Sequence, residues 1–159
     1  PLYPALAAQW KTAFLEVKQL SNYIGRWQLL QKNPRVITDS AHNEGGLRLV
    51  MEELRQLPHE KLHLVLGVVK DKSPDKILKL LPAYARYYFA KASIPRAMDS
   101  EILREKAAEF GLTGTAYPDV KSAMDAAITE ADPNEDLVFV GGSTFVVADI
   151  QDLIFSEKE

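Results

Sequence analysis

The sequence predicts an α/β domain with a mostly parallel sheet of about six strands and helices on both faces. Short apolar segments alternate with amphipathic ones along most of the chain, which is typical of strand–helix–strand units. The segment 61–69 is almost continuously apolar, as a central strand buried on both faces should be. A short turn separates the first two predicted strands, and because a parallel crossover needs more residues, these strands should form an antiparallel hairpin. We therefore expect a three-layer, Rossmann-like domain with an antiparallel pair at its start.

The composition suits a single globular domain, since 47% of the 159 residues are hydrophobic and 26% are charged. The net charge of −3 and the lack of a long Lys/Arg block argue against a nucleic-acid partner. The sequence has no cysteine, which excludes disulfides, thiol catalysis and cysteine-based zinc sites. This fits a reducing compartment, and we expect a cytoplasmic protein. No apolar run approaches the roughly 18 residues that a membrane helix needs.

The first predicted element is a helix over residues 5–20. Its apolar side chains recur at three- and four-residue spacing on one face: Leu6, Trp10, Phe14, Val17 and Leu20. The chain begins with Pro1 rather than Met, and we expect a domain cut from a longer protein. We assign residues 1–21 to a helix or linker of the preceding region, and residues 22–159 to the domain itself.

The remaining elements are predicted from periodicity and turn signals. Gly25 ends the first pattern, and Asn33-Pro34 marks the turn of the hairpin. Strands are predicted at 27–30, 36–39, 61–69, 85–90, 114–117 and 136–140, and helices at 44–57, 74–81, 100–110, 119–131 and 145–155. Ser73 should be the N-cap of the second of these helices, with Pro74 at its first position, and Gly111 should end the third.

Polar turns at residues 39–46, 67–74 and 141–144 each follow a predicted strand. Because the carboxyl ends of parallel strands share one edge of the sheet, we expect these turns to converge. The first holds an acid, a hydroxyl, an imidazole and an amide, and the second holds Lys70, Asp71 and Lys72. The third offers backbone N–H groups and the Ser143 hydroxyl to a carboxylate or phosphate. Together the turns predict an anion-binding crevice.

Each turn also has an ordinary structural interpretation. Asn43 could simply be the N-cap of the following helix, with nearby glycines easing the turn. The charged triplet at 70–72 could be a solvated loop, and Ser143 could cap the last helix. Short motifs have a real false-positive rate, so the pattern alone leaves these alternatives open.

The positions of the histidines and glycines limit the kinds of reaction and cofactor that the sequence supports. His42 could be a general base, because an unperturbed imidazole titrates near neutral pH, or it could contact a ligand, which we favour. His63 alternates with apolar residues and should be packed, whereas His59 should lie in a solvated loop. No second histidine stands at metal-ligand spacing, so we predict no metal site. The chain contains neither Gly-x-Gly-x-x-Gly nor a P-loop sequence, which argues against a dinucleotide-binding dehydrogenase.

The order of these motifs resembles the carboxyl-terminal domain of folylpolyglutamate synthase and dihydrofolate synthase, members of the Mur ligase superfamily. The matching segments are Gly25-Arg26-Trp27, Asp39-Ser40-Ala41-His42-Asn43 with Gly46, residues 66–72, and Gly142-Ser143. The resemblance covers nearly everything after about residue 22. The family form of the second segment is Asp-Gly-Ala-His-Asn-Pro, so Ser40 and Glu44 depart from it, and Glu44 adds a negative charge.

The resemblance implies an ATP-dependent amide ligase with a central domain that this chain lacks. That P-loop domain would be the partner of this one and would bind most of the ATP, Mg²⁺ and pterin. ATP would phosphorylate a carboxylate of dihydropteroate or a folate, and the amine of L-glutamate would attack the acyl phosphate. The fragment alone should be inactive. Two alternatives stay open: a non-catalytic module that binds a small anion, and a domain of another Mur-type ligase, although the Asp39–Asn43 motif differs from that of the peptidoglycan branch.

The resemblance also implies roles for single residues. Arg26 matches an arginine that reaches the ATP phosphates, and Asp39 matches an acid associated with the nucleotide, with Asn43 beside it. His42 matches a histidine near glutamate and the phosphates, and Lys72 lies where a lysine pairs with a glutamate carboxylate. Both are our candidate catalytic residues. A further glutamate contact is implied for Ser143, and secondary candidates are Lys70 and Asp71.

Overall fold

The computed structural model describes residues 25–70 and 74–152. The predicted helix at 5–20, the residues Asp71, Lys72 and Ser73, and the end of the predicted helix at 145–155 lie outside these ranges.

The described residues form six strands and five helices. The strands are β1 (Gln28–Gln31), β2 (Arg35–Asp39), β3 (Leu62–Leu66), β4 (Arg86–Ala90), β5 (Gly114–Tyr117) and β6 (Leu137–Gly141). The helices are α1 (Glu44–Gln56), α2 (Asp75–Leu78), α3 (Ser100–Ala108), α4 (Val120–Glu130) and α5 (Thr144–Asp149).

The strands make one sheet in the order β1-β2-β6-β3-β4-β5. Strand β1 pairs with β2 antiparallel, and the other neighbouring pairs are parallel. The predicted fold class is therefore confirmed, including the hairpin at its start. The hairpin lies at one edge of the sheet. Strand β6, the last strand in sequence, lies between β2 and β3.

The sheet separates two hydrophobic clusters, as alternating side chains require. Leu64 and Phe139 point to the face covered by α1, α2 and α3, whereas Val65 and Val140 pack with α4 and α5. In α1 the buried positions follow helical spacing: Leu47, Val50, Met51 and Leu54. The helices therefore lie on both faces, as predicted.

The predicted strand at 61–69 is too long at its carboxyl end. Strand β3 ends at Leu66, and Val69 instead makes an isolated antiparallel bridge with Ala97. The backbone N–H of Met98 donates to the carbonyl of Val68 at 2.9 Å. Backbone groups of residues 68 and 69 therefore bond to the loop after β4 and not to a neighbouring strand of the sheet, which ends β3 early.

The predicted helix at 74–81 is also shorter in the structure. Helix α2 spans only Asp75–Leu78, and the N–H groups of Leu80 and Leu81 bond three residues back rather than four. The N-cap is Pro74, one residue later than predicted, and no side chain caps the helix there. Helix α3 likewise ends at Ala108 rather than at residue 110, and Gly111 follows with a φ of +74°.

The amino ends of the strands hold a buried polar network. His63 is 1% exposed, with Nδ1 2.8 Å from the Tyr88 hydroxyl and Nε2 3.2 Å from Asp136 Oδ2. The Tyr88 hydroxyl donates to Glu130 at 2.9 Å, and Glu130 pairs with Arg86 at 2.7 Å. Because that hydroxyl donates its proton to Glu130, its oxygen is left as the acceptor for Nδ1 of His63. His63 is packed, as predicted.

Candidate functional site

The sheet register brings together the strand ends that precede the three predicted turns. Asp39 at the end of β2 is paired with Gly141 at the end of β6, and Gly141 is also paired with Leu66 at the end of β3. The N–H of Gly67 donates to the carbonyl of Gly141 at 3.2 Å. The predicted convergence of the turns at one edge is therefore confirmed for the residues that the structure describes.

A cleft of about 230 Å³ opens at this edge. Its lining includes four of the predicted site residues, Arg26, Asp39, His42 and Asn43, together with the exposed side chain of Leu49. The hairpin supplies the arginine, and the turn between β2 and α1 supplies the other three. Residues that lie 13 or more positions from Arg26 in sequence therefore share one cavity with it.

Asp39 is 7% exposed, and its carboxylate accepts hydrogen bonds from two backbone N–H groups. Oδ2 accepts a hydrogen bond of 2.7 Å from the N–H of Trp27, and Oδ1 accepts one of 2.7 Å from the N–H of Ala41. The N–H of Ser40 donates in turn to the carbonyl of Gly25 at 2.8 Å. The end of β2 and the turn that bears Arg26 are thus joined by backbone and side-chain bonds.

Both predicted capping alternatives are present in the structure. The Asn43 side-chain oxygen accepts a bond of 2.9 Å from the N–H of Gly46 and so caps α1. Ser143 is 4% exposed and caps α5 by accepting from the N–H of Phe145 at 3.2 Å. A ligand contact would therefore use the amide N–H groups of Asn43 and the hydroxyl proton of Ser143. Ser143 lies on the neighbouring turn and does not line the 230 Å³ cleft.

His42 is exposed, and its ring is held by one bond to the backbone. Nδ1 lies 3.1 Å from the carbonyl oxygen of Ser40. Because a carbonyl oxygen can only accept, Nδ1 carries the proton of this bond. In the neutral ring the other nitrogen, Nε2, is then the acceptor, which is the form that a general base requires.

The structure gives a local explanation for Glu44, one of the two departures from the family motif. Glu44 is the first residue of α1 and pairs with Arg48 one turn later at 3.2 Å, in an exposed position. An acid in the first helical turn is favourable because it faces the positive end of the helix dipole. Ser40 is buried, with its N–H bonded to Gly25.

A fourth loop, residues 92–99, reaches the same edge, and sequence reasoning missed it. The Arg96 carbonyl accepts from the N–H of Lys70 at 2.9 Å, and the Arg96 guanidinium lies 4.8 Å from the centre of the Phe145 ring. Lys70 Nζ is 3.4 Å from the Pro95 carbonyl oxygen. The available signal was that this loop follows β4, which is parallel to β3, so its start lies on the carboxyl edge as well.

A larger hollow of about 440 Å³ lies at the opposite edge, between the starts of β4 and β5. It contains none of the predicted site residues. Arg86 is its ionic side chain and already pairs with Glu130. We therefore place the candidate site in the smaller cleft, where several polar groups converge.

Within residues 25–70 and 74–152, no three histidine or acidic side chains are grouped so that they could hold a metal ion. In the same part of the chain, no helix is both long enough and apolar enough to cross a membrane.

Comparison with known proteins identifies the family of this chain. The family model for the Mur ligase glutamate ligase domain matches residues 25–144, and the chain belongs to that family. A relative from Haloferax volcanii, a probable bifunctional folylpolyglutamate synthase/dihydropteroate synthase, is 35% identical over 132 residues, which are 81% of this chain and 15% of the relative. A dihydrofolate synthase/folylpolyglutamate synthase from Escherichia coli is 32% identical over 136 residues, which are 84% of this chain and 31% of the relative. The resemblance to folylpolyglutamate synthase and dihydrofolate synthase is therefore confirmed.

Solved structures support the same conclusion. Escherichia coli FolC in complex with DHPP and ADP superposes with a TM-score of 0.73 at 29% identity, over 86% of this chain and 32% of that one. A bifunctional folylpolyglutamate synthase/dihydrofolate synthase with Mn, AMPPNP and L-glutamate bound superposes with a TM-score of 0.72 at 28% identity. The match covers 83% of this chain and 32% of that one. The chain thus spans about a third or less of these proteins.

Gly142 lies in the turn after β6, where we expect any side chain to destabilise the fold. Its φ is +95°, and a Cβ there would lie 2.8 Å from the Gly67 carbonyl oxygen. Gly142→Ala should therefore lower the free energy of unfolding by about 2 kcal/mol or more. Gly45→Ala is the matched control, because its Cβ would meet only Asn43 Oδ1 at 3.7 Å and alanine favours a helix. Urea unfolding measures both, and equal stability of the two variants would contradict the prediction.

Proposed function

We propose that this chain is the carboxyl-terminal domain of an ATP-dependent ligase that joins L-glutamate to dihydropteroate, to folates, or to both. The observation that carries the proposal is the cleft itself: Arg26, Asp39, His42 and Asn43 meet at the carboxyl edge of the sheet in a chain of this family. The nucleotides and the L-glutamate bound in solved structures of relatives support the same choice of substrates.

In this proposal Arg26 contacts the phosphates of ATP. Its guanidinium has the planar fork that pairs with phosphate oxygens, and the residue is exposed at the cleft. The γ-phosphoryl group passes from ATP to the pteroate or folate carboxylate, which releases ADP and forms an acyl phosphate. Positive charge held near the transferring group stabilises the charge that develops there. Asn43 contributes donors on the same side of the cleft.

Glutamate then reacts with the acyl phosphate. The amine attacks the acyl carbon, the amide C–N bond forms, and phosphate leaves. We assign to His42 the acceptance of a proton from the glutamate ammonium through Nε2, and the bond between Nδ1 and the Ser40 carbonyl supports this choice of nitrogen. We assign Lys72 to a glutamate carboxylate and Ser143 to a further glutamate contact. Lys72 lies outside the described residues, and its assignment rests on the family resemblance.

The P-loop, the Mg²⁺ ligands and most pterin contacts belong, in this proposal, to a preceding domain. Mg²⁺ would neutralise charge on the ATP phosphates. Closure of the two domains over the cleft would also keep water from the acyl phosphate.

The test is ATP-dependent joining of glutamate to dihydropteroate and to tetrahydrofolate by the full-length protein. Activity on either acceptor supports the proposal and identifies the substrate. No activity on either, from a well-folded full-length protein, would contradict it and favour an anion-binding module. The 159-residue chain alone should show no turnover, because it has no P-loop sequence.

His42→Ala and Lys72→Ala should each raise the KM for glutamate about tenfold or more, which is the usual loss for a hydrogen bond to a charged group. His42→Ala should also lower kcat if the imidazole accepts the proton. The matched controls are His59→Ala and Lys121→Ala, which do not line the cleft. Steady-state kinetics with varied glutamate measures the effect. An unchanged KM for glutamate in both site variants would contradict the assignment of His42 and Lys72 to the glutamate site.

A further inference from the structure

The loop of residues 92–99 holds an arginine beside the turn that follows β6. The guanidinium carbon of Arg96 lies 4.8 Å from the centre of the Phe145 ring. Phe145 in turn donates its N–H to the Ser143 hydroxyl at 3.2 Å. An arginine against an aromatic face is attracted by the ring and moves less than one surrounded by water. The positive charge of Arg96 is therefore kept beside the turn that contains Ser143.

The backbone of the same loop is fixed to the turn that follows β3. The N–H of Lys70 donates to the Arg96 carbonyl at 2.9 Å, and Val69 forms an antiparallel bridge with Ala97. Lys72, which we assign to a glutamate carboxylate, follows Lys70 by two positions. The loop thus joins the two turns to which the proposed function assigns the carboxylate contacts of glutamate.

Glutamate brings two carboxylates to the site, and the proposed function gives only one of them a cationic partner, Lys72. A carboxylate enclosed by domain closure without such a partner costs free energy, and Ser143 offers a single hydroxyl proton. Lys70 and Arg96 add positive charge on this side of the edge, but Lys70 Nζ lies 3.4 Å from a backbone carbonyl oxygen. Arginine has the planar fork that pairs with both oxygens of a carboxylate. Arg96 is therefore the better partner for the second carboxylate.

The order of the strands indicates which carboxylate Arg96 meets. The strands run β2, β6, β3, β4 across this part of the sheet, so the loop after β4 starts farthest from the cleft that His42 lines. In glutamate the α-carboxylate is attached to the carbon that bears the reacting amine, whereas the side-chain carboxylate is two methylene groups further away. With the amine near His42, the side-chain carboxylate is the one that extends towards Arg96.

We propose that Arg96 binds the side-chain carboxylate of L-glutamate and so determines the preference for this amino acid over its neutral analogues. This inference rests on the proposed function and adds a residue to its glutamate site. Glutamine has nearly the same shape, but its side-chain amide has no charge and one acceptor oxygen for the two parallel N–H groups of arginine. A guanidinium at this position therefore separates two amino acids that shape alone would not.

The test compares L-glutamate with L-glutamine in the full-length protein. The measured quantity is the selectivity ratio, which is the inhibition constant of glutamine divided by the KM for glutamate. Arg96→Met removes the charge and keeps an unbranched side chain that packs on the Phe145 ring. It should lower the selectivity ratio about tenfold or more and leave the KM for ATP within about twofold.

Lys79→Met is the matched control. Lys79 Nζ also lies over an aromatic ring, 5.8 Å from the centre of Phe110, and neither residue belongs to the converging turns or to the loop of residues 92–99. This variant should leave the selectivity ratio unchanged. A role of Arg96 in packing alone would raise both constants together or leave both as they are, so a constant ratio in Arg96→Met would overturn the inference.

Two further variants keep the inference testable if Arg96→Met does not fold. Arg96→Lys keeps the charge without the planar fork and should lower the selectivity ratio by less than Arg96→Met does. Phe145→Leu removes the ring under the guanidinium and should lower the ratio about threefold. Wild-type ratios in both variants would overturn the inference. If the folded wild-type protein joins glutamate to neither acceptor, the proposed function and this inference fail together, whereas ligase activity with unchanged ratios overturns this inference alone.

Discussion

Replacing Arg26 with alanine is expected to lower kcat/KM for ATP of the full-length protein by about a hundredfold to a thousandfold. This is the usual loss when one preorganised group that stabilises charge in the transition state is removed. Arg26 lines the cleft on a turn held by bonds to Gln28 and Asp39, so the backbone that carries its side chain is ordered before the nucleotide arrives. Steady-state kinetics with varied ATP measures the effect.

Two companion variants separate charge from geometry. Arg26→Lys keeps the positive charge but loses the planar fork, so it should recover only part of the activity. Arg104→Ala removes another exposed arginine, paired with Glu101 on α3 at 2.7 Å, and should leave the kinetics unchanged. A fully active Arg26→Ala enzyme would contradict the assignment of the phosphate contact.

The second large effect concerns stability. Asp136→Ala is expected to lower the free energy of unfolding by about 3 kcal/mol or more at pH 7, because it removes the carboxylate that bonds to His63 and to two backbone N–H groups and leaves these three groups without that partner. His63 and Asp136 are each 2% exposed in their side chains, and Asp136 also accepts from the N–H groups of Lys61 and Asp132 at 3.1 and 2.9 Å. Urea unfolding of the 159-residue chain measures the loss. Asp125→Ala, at an exposed position on α4, is the control and should change stability by about 0.5 kcal/mol or less.

Asp136→Ala should also change how the free energy of unfolding depends on pH in the acidic range. Burial by itself would raise the pKa of the Asp136 carboxyl, but the bonds from Asp132, His63 and Lys61 outweigh burial and hold the pKa below its ordinary value. The ionised carboxylate therefore stabilises the fold above the ordinary carboxyl pKa of about 4, and this contribution is lost as the pH falls through the lower pKa of the folded state. The stability difference between wild type and Asp136→Ala should shrink between about pH 5 and pH 3. A constant difference across that range would contradict the prediction.

Much of the architecture could be predicted because its signals are local. The alternation of strand and helix patterns, and the short turn at Asn33-Pro34, predicted the class, the hairpin and the convergence of the turns. The ends of elements were less accurate. Residues 67–69 continue an apolar run, yet Val69 pairs with Ala97 outside the sheet, and no feature of the run itself signals that partner.

Four of the residues that line the cleft could be predicted from the sequence, but their contacts could not. The family motif named Arg26, Asp39, His42 and Asn43, and these four line one cleft. The motif did not indicate that both oxygens of Asp39 bind the backbone, or that Ser143 lies on the neighbouring turn. Those facts depend on side-chain direction, which is set by the packing around each turn.

The sequence by itself determined the class of domain, the order of its elements and the family. These follow from periodicity and short motifs, which act over a few residues at a time. Only the tertiary structure decided that β6 lies between β2 and β3, that Asp39 holds a turn 12 residues earlier, and that His63 meets Asp136 at a distance of 73 residues in sequence. The physical reason is that such contacts form between groups far apart in the chain, and each depends on the packing of the whole sheet rather than on its own neighbours in sequence.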